Sequence, residues 1–452
     1  MNFSGFCPHR SDRCACAHTP VTGASAFLGV LMVLCAFGAA AESGIDAFFR
    51  PASPRWDELD AGGVYPQGRR FPFSFFSTGG SVESEEARQA VFERVRDSGI
   101  PLLGPQYELN RRILEDAQAH GFRAIYQVGL PMRFTSDEPL RLTPDEIAEG
   151  IAEQVRAVVD RPEIAWWYLQ PEELRHWRRR EMEYLEIATR TIRELDPLER
   201  PIWMYDPGHR TASGLAHTVQ HLCICGKGMY TNYSGQRDSR IWVRWTLEQE
   251  LEAIERANPS AIPIAVPEMF QQPEEQHLEL IPAWVRHDVY LSLISGARGI
   301  VVFSLRERGN FDAHAAYAEA YLDAARAICG DLALGQLFLF GERRDDLTVD
   351  VVHGPAVLAL DLPLRGERPA RFPSVNHANL AWGSERYLFA VNSANEFVRV
   401  RVAGFPDKQM HAVSVFDDAW TAPIEEGVLA LEFAPLEVKA LRFVREEPAP
   451  QG

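Results

Sequence analysis

The sequence has few cysteines. It holds 452 residues and seven cysteines, four of which lie before residue 42. Cys223 and Cys225 stand two apart on a predicted strand, where their side chains share one face but lie too far apart to bridge easily. The sequence therefore predicts no disulfide framework, and we expect both to be buried thiols.

Long basic runs are also missing. The formal net charge at pH 7 is −17. The densest basic stretch, residues 175–180, opens a predicted helix whose next residues are acidic and apolar. Binding to a polyphosphate backbone needs a basic face, so nucleic acid is not an expected partner. We interpret residues 175–180 as a solvated helix face.

The common cofactor and metal motifs are absent from the sequence. It has no G-x-S-x-G elbow, phosphate-binding loop, EF-hand loop or HExxH pattern. His217 and His221 have the i, i+4 spacing of helix ligands, and His209 lies nearby, but the segment is rich in glycine and threonine. We therefore expect neither a metal nor a cofactor.

The N-terminus carries a basic region, an apolar run and small residues in that order. Arg10 and Arg13 precede the apolar residues 26–37, and three alanines stand directly before Glu42. This order is typical of a cleaved export signal, and the apolar run is short for a membrane span. We predict a signal peptide over residues 1–41 and a periplasmic or secreted mature protein. An uncleaved anchor is the alternative and the only membrane contact expected.

Apolar runs alternate with helical patterns between residues 71 and 340. Eight runs are nearly continuous and rich in β-branched and aromatic residues, as in strands buried on both faces. Eight strand–helix units over roughly 250 residues match a (β/α)₈ TIM barrel, here preceded by a lead-in over residues 42–70. The rival is an open doubly wound sheet, whose usual glycine-rich spacing is absent from residues 77–80. The runs are FPFSFFST, PLLGPQYE, FRAIYQVGLP, IAWWYLQPEE, PIWMYDPG, HLCICGKGMYTNY, IPIAVPEMF and GIVVFSLRE.

The pattern changes after residue 341. Segments such as RYLFAVNS, FVRVRVAG and VLALEF alternate apolar and polar residues with period two between turn residues. This pattern is typical of antiparallel strands with one buried face. We predict a β-sandwich over residues 341–452.

Carboxylates follow two of the predicted barrel strands. Strand four ends in WWYLQPEEL, which places Glu172 and Glu173 at the rim, and strand seven ends in IAVPEMF, which places Glu268 there. Active-site groups of such barrels lie at the carboxyl ends of the strands. Strands four and seven lie on opposite sides of the mouth. Two carboxyl groups facing each other across a bound sugar are what glycosidic cleavage requires.

These motifs resemble those of the retaining (β/α)₈ glycoside hydrolases, many of which carry a C-terminal β-sandwich. The resemblance implies that Glu172 is the acid/base and Glu268 the nucleophile. It does not identify a family within the superfamily. One departure is clear, because Pro171 stands where the superfamily usually has the asparagine that contacts the sugar 2-hydroxyl. The departure leaves Glu173 as a second candidate for the acid.

Aromatic and polar residues near the predicted strand ends are candidates for binding carbohydrate. Trp166 and Trp167 are adjacent, so only one of them can face inward; Trp167 is included as a candidate. The resemblance further implies that Tyr230 or Tyr233 orients the nucleophile. The candidates are Tyr107, Trp167, Glu173, Tyr205, Asp206, His209, Tyr230, Tyr233 and Arg306.

Three functions remain open at the level of sequence. The first is an exported glycoside hydrolase or transglycosylase with a carbohydrate substrate. The second is a carbohydrate-binding protein on the same fold that has lost catalysis. The third is a lyase for acidic sugars, in which Arg133, Arg210 and Arg306 would hold a carboxylate. The sequence identifies neither the sugar nor the linkage.

Overall fold

A computed structural model describes residues 59–79, 84–106, 112–131, 141–235, 239–360, 369–405 and 410–445. Three predictions lie outside these residues: the signal peptide, and the roles of Tyr107 and Arg133. The described chain opens with β1 (Asp60–Val64) and β2 (Gly68–Arg70), which pair in parallel within the predicted lead-in.

Eight parallel strands form the central sheet, and each is followed by an α-helix. This order confirms the predicted strand–helix architecture, with one strand in each of the eight apolar runs. The strands are β3 (Phe73–Phe75), β4 (Leu102–Leu103), β5 (Arg123–Gly129), β6 (Ile164–Gln170), β7 (Ile202–Trp203), β8 (Ile224–Met229), β9 (Ile262–Pro267) and β10 (Ile300–Val302).

The sheet is nearly closed into a barrel. The last strand pairs with the first, with Ile300 of β10 opposite Phe73 of β3. At the seam between β3 and β4, the backbone N–H of Ser77 donates to the carbonyl of Pro105 over 2.8 Å, and the Ser74 hydroxyl donates to the carbonyl of Gly104. The carboxyl ends of all eight strands therefore surround one mouth.

Alternate residues of the strands fill the barrel interior. In β6, Trp166 and Tyr168 pack with Phe76, Ile264 and other inward side chains in one buried cluster. Trp167 belongs instead to the core that the strands share with the helices. The period of two along a strand requires this division, and Trp166 is the tryptophan that faces inward.

The helices lie near their predicted positions. At the start of one, the Thr143 hydroxyl accepts the Glu146 N–H while the Glu146 carboxylate accepts the Thr143 N–H, which forms a capping box. The largest difference concerns the helix that residues 175–180 are predicted to open, which begins at Arg179 and leaves Trp177 in a loop, 66% exposed. In the part of the chain described, no α-helix is both long and apolar enough to span a bilayer. The helices are α1 (Glu85–Asp97), α2 (Arg112–His120), α3 (Pro144–Arg156), α4 (Arg179–Leu195), α5 (Ala212–Val219), α6 (Trp242–Ala257), a 3₁₀ turn (Glu275–Leu280), α7 (Ile281–Ile294), α8 (His314–Cys329) and α9 (Leu334–Phe340).

Beyond α9 the described strands pair antiparallel, as predicted. Six of them form one sheet and three form a second. One face of the larger sheet packs on the smaller one through Leu388 and Val400, and Phe389 on its other face stacks on Tyr290 of α7. That residues 341–452 are a separate domain remains a prediction. The strands are β11 (Glu342–Arg344), β12 (Thr348–His353), β13 (Val357–Leu360), β14 (Ala370–Pro373), β15 (Val375–Trp382), β16 (Glu385–Asn392), β17 (Val398–Ala403), β18 (Met410–Ser414), β19 (Thr421–Pro423), β20 (Val428–Phe433) and β21 (Val438–Arg445).

Candidate active site

Glu172 follows the fourth barrel strand, and its carboxylate turns back toward the barrel interior. It accepts hydrogen bonds from the Tyr168 hydroxyl and, over 3.2 Å, from the Gln170 amide. Because Tyr168 faces the interior, this contact places Glu172 at the inner edge of the mouth. Burial raises the pKa of Glu172 to about 7; the Tyr168 hydrogen bond opposes this shift and the charge of Glu173 adds to it.

Glu268 follows the seventh strand and is 2% exposed. Its two oxygens accept the backbone N–H groups of Asn232 and Tyr233, the latter over 3.1 Å. Burial raises the pKa of Glu268 to about 7, while the charge of Arg240 and the two N–H groups lower it. Glu268 is thus a carboxyl in a dry site beside three groups that favour its anion.

The two carboxyls differ in their partners. An acid and a nucleophile need unequal proton affinities, whereas the pKa values of Glu172 and Glu268 are both raised to about 7. Glu268 has a guanidinium and two backbone donors that stabilise the ionised form. Glu172 has two neutral donors and a like charge beside it. The guanidinium is the difference between the two sites: it favours an ionised Glu268, whereas at Glu172 burial and the charge of Glu173 favour the protonated form against its two donors. This is the direction of the roles that the resemblance implies.

Aromatic rings connect Tyr168 to the loop that follows the sixth strand. Phe76 lies 5.7 Å from Tyr168 and 5.2 Å from Phe303 between ring centroids, and Phe303 lies 5.7 Å from Tyr230. Tyr233 continues the series at 6.3 Å from Tyr230 and is 68% exposed. Apolar and aromatic walls with a few placed polar groups are typical of small-molecule sites. This series of rings could receive the flat face of a sugar.

Four other predicted site residues lie beside the aromatic series or in exposed loops at the strand ends. Tyr205 joins the aromatic series, because its ring stacks on Tyr230 at 6.2 Å and 17°. Glu173 is exposed, and its backbone N–H donates to the carbonyl of Tyr205 over 3.0 Å. His209 and Arg306 are exposed in the loops after the fifth and eighth strands. Their contact with substrate stays a prediction.

Two predicted binding residues face away from the barrel interior. Trp167 is fully buried, and its indole N–H donates to Asp196 over 2.7 Å. Asp206 is also buried and accepts hydrogen bonds from Arg210 and, over 2.9 Å, from the Thr218 hydroxyl. Both side chains are enclosed in the layer between strands and helices, so the structure gives no support to the prediction that they bind substrate.

Sequence reasoning missed several residues of the site. Tyr168 could have been found, because it lies two positions from Trp166 and therefore on the same face of β6. Arg308 carries no such signal. Its guanidinium donates to the Ser304 hydroxyl over 2.8 Å and lies 5.8 Å from the Phe303 centroid, so this arginine is packed among the mouth's aromatic rings.

The histidines considered as metal ligands do not converge. His217 stacks on His176 with ring centroids 5.3 Å apart. Over the described residues, no group of three or more His, Cys, Asp or Glu side chains is placed to hold a metal ion.

Solved structures with a similar fold include glycoside hydrolases. An α-amylase from Geobacillus thermoleovorans in complex with acarbose superposes with a TM-score of 0.55 at 7% identity, covering 84% of this chain and 99% of the amylase. The amylase AmyP in complex with maltose gives 0.53 at 10% identity over 85% and 98% of the two chains. A family 5 glycoside hydrolase from Bacteroides vulgatus gives 0.51 at 14% identity over 86% and 93%.

The fold is similar to that of barrel glycoside hydrolases. No protein-family model matches the sequence, and no curated protein matches it. At these identities the likeness concerns the fold alone, and no family is identified. Function must therefore be argued from the site.

Proposed function

We propose that this protein is an exported glycoside hydrolase that uses two carboxyl groups, Glu172 as acid/base and Glu268 as nucleophile. The observation that carries the proposal is the pair of carboxyls at the ends of the fourth and seventh strands, Glu172 bound to inward-facing Tyr168 and Glu268 bound to two backbone N–H groups, each with a pKa raised to about 7. Perturbed carboxyls at the mouth of such a barrel are candidates for catalysis.

The proposed reaction proceeds in two steps. Ionised Glu268 attacks the anomeric carbon while Glu172 gives its proton to the departing glycosidic oxygen, so the C–O bond breaks as the ester to Glu268 forms. Glu172, now ionised, then takes a proton from water. The resulting hydroxide oxygen bonds to the anomeric carbon, and the carboxylate of Glu268 leaves. An acceptor sugar in place of water would give transglycosylation.

The lyase alternative is weakened by the position of Arg210. This side chain is 5% exposed, forms an ion pair with Asp206, and donates to the carbonyl of Leu174 over 2.8 Å. Its donors are engaged within the protein, so it is poorly placed to hold a substrate carboxylate. The carbohydrate-binding alternative has no comparable objection and is separated by the assay below.

The direct test is release of reducing ends from a panel of polysaccharides, together with hydrolysis of aryl glycosides. We expect turnover on at least one substrate by the protein and none by Glu268→Gln. Proton NMR of the first product gives the anomeric configuration, and retention is expected. A protein that retards a polysaccharide in an affinity gel but cleaves no member of the panel would support the binding-protein alternative.

We expect a bell-shaped dependence of kcat/KM on pH with its maximum near pH 7. Activity needs Glu268 ionised, so it should rise as pH increases toward the pKa of Glu268, about 7. It needs Glu172 protonated, so it should fall as pH passes the pKa of Glu172, also about 7. The two limbs report macroscopic pKa values of the interacting site. Initial rates at substrate concentrations well below KM would measure them, and an optimum below pH 5 would contradict the assignment.

Export is a separate part of the proposal. We expect the mature protein to begin near Glu42, because the small residues before it complete the order of a cleaved signal. N-terminal sequencing of protein isolated from its native host would measure the start. An intact Met1 on cytoplasmic protein would contradict export and leave the catalytic proposal untouched.

A further inference from the structure

The carboxylate of Glu268 is held by a loop whose own position depends on side-chain hydrogen bonds to other elements. The N–H groups that reach Glu268 belong to Asn232 and Tyr233, after the sixth strand. The Asn232 side chain accepts a hydrogen bond from Arg240 over 3.0 Å and donates one to the Tyr317 hydroxyl over 3.2 Å. These side-chain bonds fix the turn that carries the two donors.

Arg240 is itself held by a buried chain of hydrogen bonds. It forms a two-point ion pair with Asp288 of α7, one bond of which measures 2.8 Å. Asp288 lies 2.9 Å from Nδ1 of His287, whose Nε2 lies 3.0 Å from the Ser393 hydroxyl. Because Asp288 is ionised, Nδ1–H of His287 donates to it, and Nε2 accepts the hydroxyl proton of Ser393.

Ser393, His287 and Asp288 have the hydrogen-bond order of a serine-hydrolase triad, but they cannot act as one. The exposed fractions of these three residues are 0%, 0% and 2%. The serine hydroxyl is enclosed between α7 and the C-terminal sheets, and Asp288 is already paired with Arg240. The arrangement is therefore a support for other residues rather than a second active site.

A backbone contact joins the same two regions. Ser239 forms an isolated antiparallel bridge with Ala394, directly after Ser393. The N–H of Ser393 donates to the carbonyl of Ser374 over 2.8 Å, and the N–H of Ala394 donates to the Asn392 side chain over 3.0 Å. The corner at residues 392–394 of the C-terminal sandwich is thus rigidly tied to its own sheets and to the residues beside Arg240.

We infer that Arg240 is a positioning residue for Glu268, and that the corner at residues 392–394 holds Arg240 in place through His287 and Asp288. The consequence for catalysis rests on the proposed function; the positioning itself does not. The C-terminal sandwich then serves the active site directly, by fixing the loop that presents two N–H donors to the carboxylate. Precision of this kind is what a preorganised carboxylate needs.

The charged and titratable groups around Glu268 come from several elements. Arg240 precedes α6, Asp288 lies on α7, and Tyr317 and Tyr321 lie on α8. Among them Arg240 supplies the positive charge, and it lowers the pKa of Glu268 against the effect of burial. Removing that charge should therefore raise the pKa of Glu268 further, typically by about one unit or more for a partner this close.

The charge of Arg240 is tested with Arg240→Gln and Arg240→Lys. In Arg240→Gln the midpoint of the ascending limb of the kcat/KM–pH profile should move up by about one pH unit, and kcat should fall. In Arg240→Lys, which keeps the charge, the midpoint should lie close to that of the unsubstituted protein. The pKa of Glu268 is measured independently of activity by ¹³C NMR of the glutamate carboxyls, assigned by comparison with Glu268→Gln. An unchanged pKa of Glu268 in Arg240→Gln would overturn the inference. If that pKa moves in a protein that cleaves no glycan, the positioning stands and the proposed function fails.

The link to the sandwich is tested with Ser393→Ala, which removes only the hydroxyl next to His287. The matched control is Ser374→Ala, because Ser374 is buried in the same corner and its hydroxyl has no hydrogen-bond partner. We expect Ser393→Ala to lower kcat several-fold with KM unchanged, and Ser374→Ala to leave both constants unchanged. Equal effects of the two variants on kcat would overturn the link between the sandwich and Arg240, even if Arg240→Gln proves too unstable to study.

Discussion

Glu268→Gln should reduce kcat by at least about 10³-fold while the protein remains folded. The amide has the shape of the carboxyl but is not nucleophilic, so the covalent intermediate cannot form. Gln can still accept one of the two N–H groups from Asn232 and Tyr233, whereas its NH₂ would face the other donor. A small loss of stability is therefore expected beside the large loss of turnover. Circular dichroism and a melting curve would measure the first, and substrate hydrolysis the second.

The control for this variant is Glu250→Gln. Glu250 of α6 is also fully buried and also accepts a backbone N–H, from Lys227 over 2.9 Å, but it lies in the layer outside the barrel. It should lose stability without losing kcat per folded molecule. If Glu268→Gln keeps full activity on the true substrate, the two-carboxylate mechanism is wrong.

The eight strands were predictable from sequence because a strand buried on both faces needs a continuous apolar run. Which side chains of each strand face the barrel interior was not predictable. Side chains alternate along a strand, so Trp166 and Trp167 must face opposite ways. Only contact with side chains from other strands decides which of them faces inward. The choice of Trp167 rather than Trp166 and the omission of Tyr168, which bonds to Glu172, have this one cause.

The start of α4 was predicted too early for a different reason. Trp177 continues the apolar spacing of the helix, yet it lies in a loop. The buried carboxylate of Glu181 accepts the backbone N–H of Arg175 over 2.6 Å and pairs with the Arg175 side chain. These bonds hold the chain in a turn ahead of the helix, and a side chain that reaches back to the backbone is not visible in hydrophobic periodicity.

The support around Glu268 had no signal in the sequence at all. Arg240, Asp288 and Ser393 come from a loop, a helix and the C-terminal sandwich, and the first two are 48 positions apart in the sequence. Each is an ordinary residue in its local pattern. Only the folded chain brings them into one buried network, so sequence reasoning found the carboxyl of Glu268 but not what positions it.

Glu172→Ala should slow hydrolysis of natural glycosides by about 10²–10⁴-fold, the usual contribution of a general acid. Sugars are poor leaving groups and need the proton, whereas activated aryl glycosides with acidic phenols do not. On such aryl glycosides the variant should therefore form the ester to Glu268 at much of the original rate. Breakdown of that ester should then limit turnover. Azide, which needs no general base, should attack the anomeric carbon in the space left by the side chain and restore turnover. The expected product is a glycosyl azide of retained configuration, identified by NMR.

The same experiment with Glu173→Ala decides the register after the fourth strand. Glu173 is exposed and has φ of 59°, in the left-handed region, whereas the carboxylate of Glu172 accepts the hydroxyl of inward-facing Tyr168. The pKa values of both glutamates are raised, so the contact with Tyr168 is what favours Glu172 as the acid. Glu173→Ala should therefore retain activity on natural glycosides and gain nothing from azide. An inactive, azide-rescued Glu173→Ala beside an active Glu172→Ala would move the acid by one residue and leave Glu268 as the nucleophile.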